Sequence, residues 1–233
     1  LLVAIDDCPV RTMDVDIIFD ANFSNDIAYN AINSRQVKVF SGPKAQIVDP
    51  AYLEKPYLVN NKITGQNSSC YFSLGGFDRR DLTKKLIDVI QKHFPSTMIC
   101  IANTFGTMDY LRSMDNIYLL SSKSDLIDAC YNCDFGIGAA GTMTWERNCG
   151  NLPTFHLIIA ENQRQVAFDM YKMVGAPFFD AVKRPIEELD VLLYNFIIDK
   201  NKQKQIKKKL ENLERPTGVN FIPEFLKFHK NRS

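Results

Sequence analysis

Two stretches carry residues whose types and spacing could handle a phosphate. The first, Ser73-Leu74-Gly75-Gly76-Phe77-Asp78, follows a β-rich apolar run. Paired glycines after a strand let backbone N–H groups come close to a phosphate, because no Cβ stands in the way. The stretch is neither G-x-G-x-x-G nor a P-loop with its lysine, and a tight strand-to-helix turn explains it about as well. The second is Gly136-Ile137-Gly138-Ala139-Ala140-Gly141-Thr142-Met143-Thr144-Trp145-Glu146. Its small residues clear space beside the start of a helix, where unpaired N–H donors and the positive end of the dipole form an anion site. Thr142 and Thr144 could add hydroxyl donors. Glu146, about one turn into that helix, could reach past the phosphates to a ribose diol, as acidic residues do in dinucleotide sites. The plainer reading is that its charge complements the dipole in the first turn.

The remaining chemistry-bearing residues read as structural. Cysteines stand at 8, 70, 100, 130, 133 and 149; without a secretion signal they read as reduced, mostly buried thiols. Cys130-Tyr131-Asn132-Cys133 is a lone C-x-x-C with no second pair at zinc-ribbon spacing, so no metal site is expected; a redox pair is the alternative. His93 closes a helix before Phe94-Pro95 and reads as a solvated C-cap. His156 lies inside an apolar strand and reads as a satisfied core residue, and His229 stands in the tail. No cofactor is expected.

The two stretches need elements to hold them. Ser69–Leu74, Met98–Ala102, Asn116–Leu120, Asp134–Gly138 and Pro153–Ile159 read as buried strands. Between them lie helix patterns, such as Asp81–Ile90 with apolar residues at 82, 86, 87 and 90, a helix opened by Ser124 as N-cap, and one beginning near Asn162-Gln163. Continuous apolar strands interleaved with helices imply βαβ units and a parallel sheet covered on both faces. Residues 60 to about 230 therefore read as a doubly wound α/β domain, and both stretches fall at carboxyl ends of strands, where such sheets bind ligands. The first 45 residues read as three strands, in Val3–Asp7, Val15–Asp20 and Val37–Phe40, with hardly any helix. Gly42-Pro43 and Asp49-Pro50 mark a crossover. The expected division is 1–45, the end of a truncated N-terminal Rossmann-like domain, and 46–233, a C-terminal nucleotide-binding Rossmann-like domain. Lys200–Lys209, with Ile206 and Leu210 on one side, reads as a solvated amphipathic helix.

Composition narrows the function class. Of the 233 residues, 45% are apolar and 24% charged, the balance of an ordinary globular protein. A net charge of +1 from 28 basic and 27 acidic side chains gives no support to a nucleic-acid binder working through a broad basic face. No apolar run reaches the ~18 residues of a membrane span, and Leu1–Asp6 lacks the pattern of a signal peptide; a cytoplasmic protein is expected. Leu1-Leu2-Val3-Ala4-Ile5 reads as a buried strand with no initiator Met, which implies an upstream segment.

Residues 138–154, GAAGTMTWERNCGNLPT, resemble the nucleotide-binding signature of GT-B proteins. In that family a small-residue loop precedes a helix with a ribose-binding Glu, and a turn leading from a Gly to a Pro follows, here Cys149-Gly150-Asn151-Leu152-Pro153. A closer resemblance is to one branch, the UDP-2,4-diacetamido-2,4,6-trideoxy-β-L-altropyranose hydrolases of pseudaminic acid biosynthesis. It rests on Ile5-Asp6-Asp7, Asp14–Asn22, Ser41–Ile47, Ser73–Asp78 and the signature, in family order over nearly all of the chain. The resemblance implies two Rossmann-like domains facing across a cleft, with UDP held by the C-terminal one. Gly75 and Gly76 would lie near the phosphates. Ala140, Gly141, Thr142 and Thr144 would belong to the diphosphate loop, and Glu146 would hold the ribose. Leu120–Ser122 would line the uracil pocket, with Ser122 in the nucleotide site, and Asn162 and Gln163 would face the diphosphate or sugar. The family's N-terminal Gly-rich loop, which carries its proposed catalytic His, has no counterpart here, so no catalytic residue is assigned. The implied activity is hydrolysis of a UDP-sugar in nonulosonate biosynthesis, with this chain mainly the UDP-binding part and inactive by itself. A GT-B glycosyltransferase of surface polysaccharide biosynthesis and a non-catalytic nucleotide-sugar-binding module are the alternatives; nothing indicates the oligomeric state.

Overall fold

The computed structural model describes residues 2–22, 26–33, 37–54, 68–75, 80–103 and 109–216, with backbone alone for Asp26, Arg80 and Asp81. Gly76, Phe77, Asp78 and His229 lie outside the described residues. The chain divides into two compact units, Leu1–Leu53 with Glu214–Ser233, and Glu54–Leu213. This division differs from the expected 1–45 and 46–233. Short 3₁₀ turns at Pro43–Ala45 and Pro50–Tyr52 bury Ala45 and Tyr52, and Ala45 packs on Ile17 and Phe19, so the stretch after residue 45 stays with the first unit.

In the first unit, β1 (Val3–Ile5), β2 (Ile17–Asp20) and β3 (Lys38–Ser41) form a parallel sheet with β2 in the middle. Successive side chains of a strand point to opposite faces. Ile17 and Phe19 accordingly meet Ala45, while Ile18 meets Tyr29 and Val37. Tyr29 belongs to α1 (Asp26–Ile32), a helix the sequence reading did not contain. The helix is short, contains Asn30 and is followed by Asn33, and the amide oxygens of the two accept from Val37 N and Met13 N; such bonds stabilise what local propensity does not favour. Among the described residues β1 pairs with β2 alone, and Val3 and Ile5 are exposed. Asp6, Asp7, Asp20 and Asn22 of the family resemblance act as fastenings. Asp20 accepts from Asn22 N at 2.7 Å, Asn22 donates to Asp7 O at 2.9 Å, and Tyr29 donates to Asp6 at 3.0 Å.

The second unit holds β4 (Ser69–Ser73), α2 (Arg80–His93), β5 (Met98–Ala102), β6 (Ile117–Leu120), α3 (Lys123–Asn132), β7 (Phe135–Ala139), α4 (Met143–Cys149), β8 (Thr154–Ile158), α5 (Arg164–Val174), β9 (Phe178–Asp180), α6 (Leu189–Ile198) and α7 (Lys200–Glu211). All strand pairs are parallel, in the order β6-β5-β4-β7-β8-β9. β4, β7 and β8 are buried at every position, as the continuous apolar runs require of a sheet with both faces covered. The α/β, doubly wound expectation therefore holds. The amphipathic reading of Lys200–Lys209 also holds, with Gln203, Ile206 and Leu210 forming the buried stripe of α7. The N-cap of α3 is Ser122, not Ser124: its hydroxyl accepts from Asp125 N at 3.1 Å, and Asp125 returns the bond to Ser122 N, a capping box.

Strand order sets the position of the site. The chain lays β4, β5 and β6 outward on one side, then returns to place β7, β8 and β9 on the other side of β4. The reversal leaves a switch point between β4 and β7, outside whose carboxyl ends open α/β sheets bind ligands. The two stretches singled out above are the loops that leave these two strands.

Candidate functional site at the switch point

The loop after β7 is pinned at both ends and open in the middle. Ala140 is fully buried, and its N–H donates to Leu157 O at 2.9 Å. Thr144 N and Trp145 N close the first turn of α4 on Gly141 O and Thr142 O. Between them, the N–H groups of Gly141, Thr142 and Met143 find no acceptor among the described residues. Thr142 is exposed and its hydroxyl makes no capping bond. Among the described residues a Cβ at Gly141 would meet only Gln163 Nε2, at 3.7 Å. α4 has seven residues, so what this end offers is three adjacent donors more than a long dipole. Across the switch point Gly75 is exposed with φ +77°, and a Cβ there would meet none of the described residues within 4 Å. Its glycine is needed for the left-handed turn, not for space.

The underside of the same loop is crowded. Arg147 of α4 is fully buried. Its Nη1 donates to Ser73 Oγ at 2.7 Å, and its Nη2 to Ala139 O at 2.8 Å and Thr144 Oγ1 at 3.2 Å. Thr144, also fully buried, is thus engaged from below and offers no hydroxyl to the open side, contrary to its assignment as an anion donor. Gly136 and Gly138, expected to clear space for a ligand, are packed against protein atoms instead: a Cβ at Gly138 would lie 2.5 Å from Arg147 Nη1 and 2.6 Å from Ser73 O, and one at Gly136 2.8 Å from Thr154 Oγ1 and 3.1 Å from Leu152 Cδ2. Burial pulls the Arg147 pKa down, against the attraction of neighbouring acidic groups, Glu146 among them. Glu146 is half-buried and stands four residues after Thr142, on the same side of the helix.

The loop after β8 completes the group. Gln163 Oε1 accepts from Ile159 N at 2.9 Å, which leaves its Nε2 beside Gly141. The 3₁₀ turn Glu161–Gln163, with Asn162 exposed, is fastened by Arg164, which pairs with both Glu161 and Asp180. The bond to Arg164 holds the Glu161 carboxyl below the usual range. Gly75, Ala140, Gly141, Thr142, Asn162 and Gln163 therefore gather at the carboxyl ends of β4, β7 and β8. Ser122 stands apart, after edge strand β6; with β5 intervening it is roughly 10 Å from β4 at the usual strand spacing.

The described histidines are placed away from chemistry. His93, read as a solvated C-cap, pairs instead through Nε2 with Asp190 Oδ1 at 2.8 Å. It ends α2, which starts at the carboxyl end of β4, so it lies at the opposite end of the sheet. His156 is fully buried opposite Gly138, and burial together with Arg147 holds its pKa well below the ordinary value. The Cys130 and Cys133 thiols are buried and pushed up, Cys130 by desolvation and Cys133 by a hydrogen bond with Cys100 and desolvation, the opposite of a reactive pair. Sequence reasoning missed Arg147 and Arg164. The only signal for Arg147 was its place directly after Glu146.

A family profile described as "Protein of unknown function (DUF354)" matches residues 60–221. No curated protein matches the sequence. Among solved structures, Acinetobacter baumannii MurG superposes with a TM-score of 0.63 at 12% identity, over 91% of this chain and 65% of that one. Anabaena HepE in complex with UDP-glucose gives 0.62 at 13%, over 93% and 64%, and S. aureus MnaA with UDP gives 0.64 at 13%, over 93% and 60%. The fold is thus α/β and GT-B-like, and the chain spans 60% to 65% of the length of these three structures. Among the described residues no helix is long and apolar enough to cross a membrane.

Proposed function

We propose that the chain, which belongs to the DUF354 family, is the part of a UDP-sugar enzyme that holds the uridine diphosphate. One observation carries this: three consecutive backbone N–H groups, Gly141 to Met143, have no acceptor among the described residues and stand at the switch point of a parallel sheet. Two proteins of similar fold, HepE and MnaA, hold UDP-glucose and UDP respectively, which supports a uridine nucleotide as the ligand. On this reading the three amides take the diphosphate, with Thr142 and Gln163 beside them. Glu146 takes the ribose hydroxyls, and Leu120–Ser122 borders the uracil.

The finer reading is hydrolysis: water displaces UDP from the anomeric carbon of a deoxy-diacetamido sugar, in the cytoplasm. The C1–O bond breaks with its electron pair going to the diphosphate, and oriented amides stabilise that growing charge. One such donor is worth about 2.7–4 kcal/mol in a dry site. Activating the water takes a base, and no described histidine stands at the carboxyl ends of the second unit, so the chain by itself binds UDP and turns over little. The support is the sequence resemblance over Ser73–Asp78 and residues 138–154. Sugar transfer is the second reading, supported by the GT-B-like fold shared with HepE, which holds UDP-glucose.

The test is a titration of the chain with UDP, followed by incubation of the longest expressed form of the protein with a panel of UDP- and GDP-sugars under phosphorus NMR. Saturable UDP binding and UDP release without an acceptor support hydrolysis. Release only with an added acceptor supports transfer. Binding with no release from any sugar supports a non-catalytic module, and no UDP binding overturns the proposal.

A further inference from the structure

Arg147 costs the fold more than a structural bolt should. A buried charge is expensive unless paired with an opposite one. Yet among the described residues the three hydrogen bonds of this guanidinium go to neutral oxygens, Ser73 Oγ, Ala139 O and Thr144 Oγ1, and its Nε finds no partner there. It forms no ion pair among the described residues. Burial and Arg147 hold the neighbouring His156 pKa well below its ordinary value. Gly138 in β7 keeps room for it, although glycine weakens a strand. A neutral side chain with hydrogen-bond donors would tie the same oxygens without the desolvation cost.

The placement gives the charge a purpose. Ala139 and Thr144 are the two feet of the loop whose N–H groups stand free, and Ser73 ends the strand on the other side of the switch point. We infer that Arg147 is the positioning residue of the anion site: it fixes both feet of the 139–144 loop, and its charge, buried beneath the loop with Glu146 next in sequence, helps to draw a diphosphate onto the amides of Gly141, Thr142 and Met143. The ligand class is a diphosphate ester, held from below without direct contact. This inference rests on the proposed UDP site.

The experiment compares wild type with Arg147→Gln and Arg147→Lys in affinity for uridine and for UDP, alongside the urea midpoint. Arg147→Gln should weaken UDP by about 10-fold or more, the scale of one lost charged interaction, while uridine changes by less than about two-fold. Arg147→Lys, which keeps the charge but cannot span all three oxygens, should restore part of the UDP affinity. Equal losses for uridine and UDP, or no loss for either, would overturn the inference and leave Arg147 a structural residue. If Arg147→Gln does not fold, the Lys variant decides: a selective loss for UDP supports the inference, and a uniform loss or none overturns it. A wild-type protein that does not bind UDP sinks the underlying site reading instead, and the two failures are told apart by that control.

Discussion

The two sides of the 139–144 loop could hardly differ more. Above it are three amides without acceptors, an exposed Thr142 and a glycine whose missing Cβ leaves only a 3.7 Å neighbour. Below it are a fully buried guanidinium, a buried Thr144 and glycines whose missing Cβ atoms would lie 2.5–2.8 Å from other atoms. The same residue types within a few positions thus answer opposite demands. The lower side is filled so that the upper side can stay open with its donors fixed. Electrostatic preorganisation of this kind needs a rigid support.

The comparison can be broken from the crowded side first. Gly150, where α3 and α4 pack, has no space at all: a Cβ would lie 2.0 Å from the Cys130 carbonyl oxygen and 2.5 Å from its carbon, which are backbone atoms and cannot turn aside. Gly150→Ala should cost more than about 3 kcal/mol in urea unfolding, at the upper end for overpacking. Gly138→Ala, which strikes a side chain as well as Ser73 O, should cost about 2–3 kcal/mol. A loss under 1 kcal/mol in either would mean the underside is looser than described. On the ligand side, Glu146→Ala should weaken UDP binding by about 1–3 kcal/mol, the range for a lost charge-assisted bond, measured by calorimetry; unchanged affinity removes Glu146 from the site.

A smaller effect sharpens the account of the buried charge. His156 has a folded-state pKa well below its unfolded value, so the unfolded chain takes up the proton first as pH falls. Stability is therefore unaffected above about pH 6.5 and declines below it, by up to about 1.4 kcal/mol per pH unit until the folded pKa is reached. Urea midpoints between pH 7.5 and 5 should show this slope in wild type and a shallower one in His156→Gln. The smallest effect belongs to the open side: Gly141→Ala should change stability by less than about 0.5 kcal/mol, because its Cβ enters free space.

Much of the second unit was legible because a parallel sheet buried on both faces writes itself as continuous apolar runs, and the runs at Ser69, Met98, Asn116, Asp134 and Pro153 are five of its six strands. β9 was not, since three residues, Phe178–Asp180, carry too little pattern. α1 was masked by asparagines whose bonds are tertiary. The open loop was legible from its small residues and threonines, but the purpose of each glycine was not. Whether Gly138 faces a phosphate or an arginine depends on which side chain folds against it, and Arg147 lies nine positions away in another element. His93 illustrates the same limit, because its partner Asp190 is 97 residues distant and no local signal couples them.

The central claim is that the amides of Gly141, Thr142 and Met143 receive a diphosphate. Nitrogen–proton spectra of the labelled chain during a UDP titration test it directly. The account predicts that these three resonances move furthest and saturate together, and that uridine leaves them nearly still. Saturable UDP binding that leaves all three in place would contradict it.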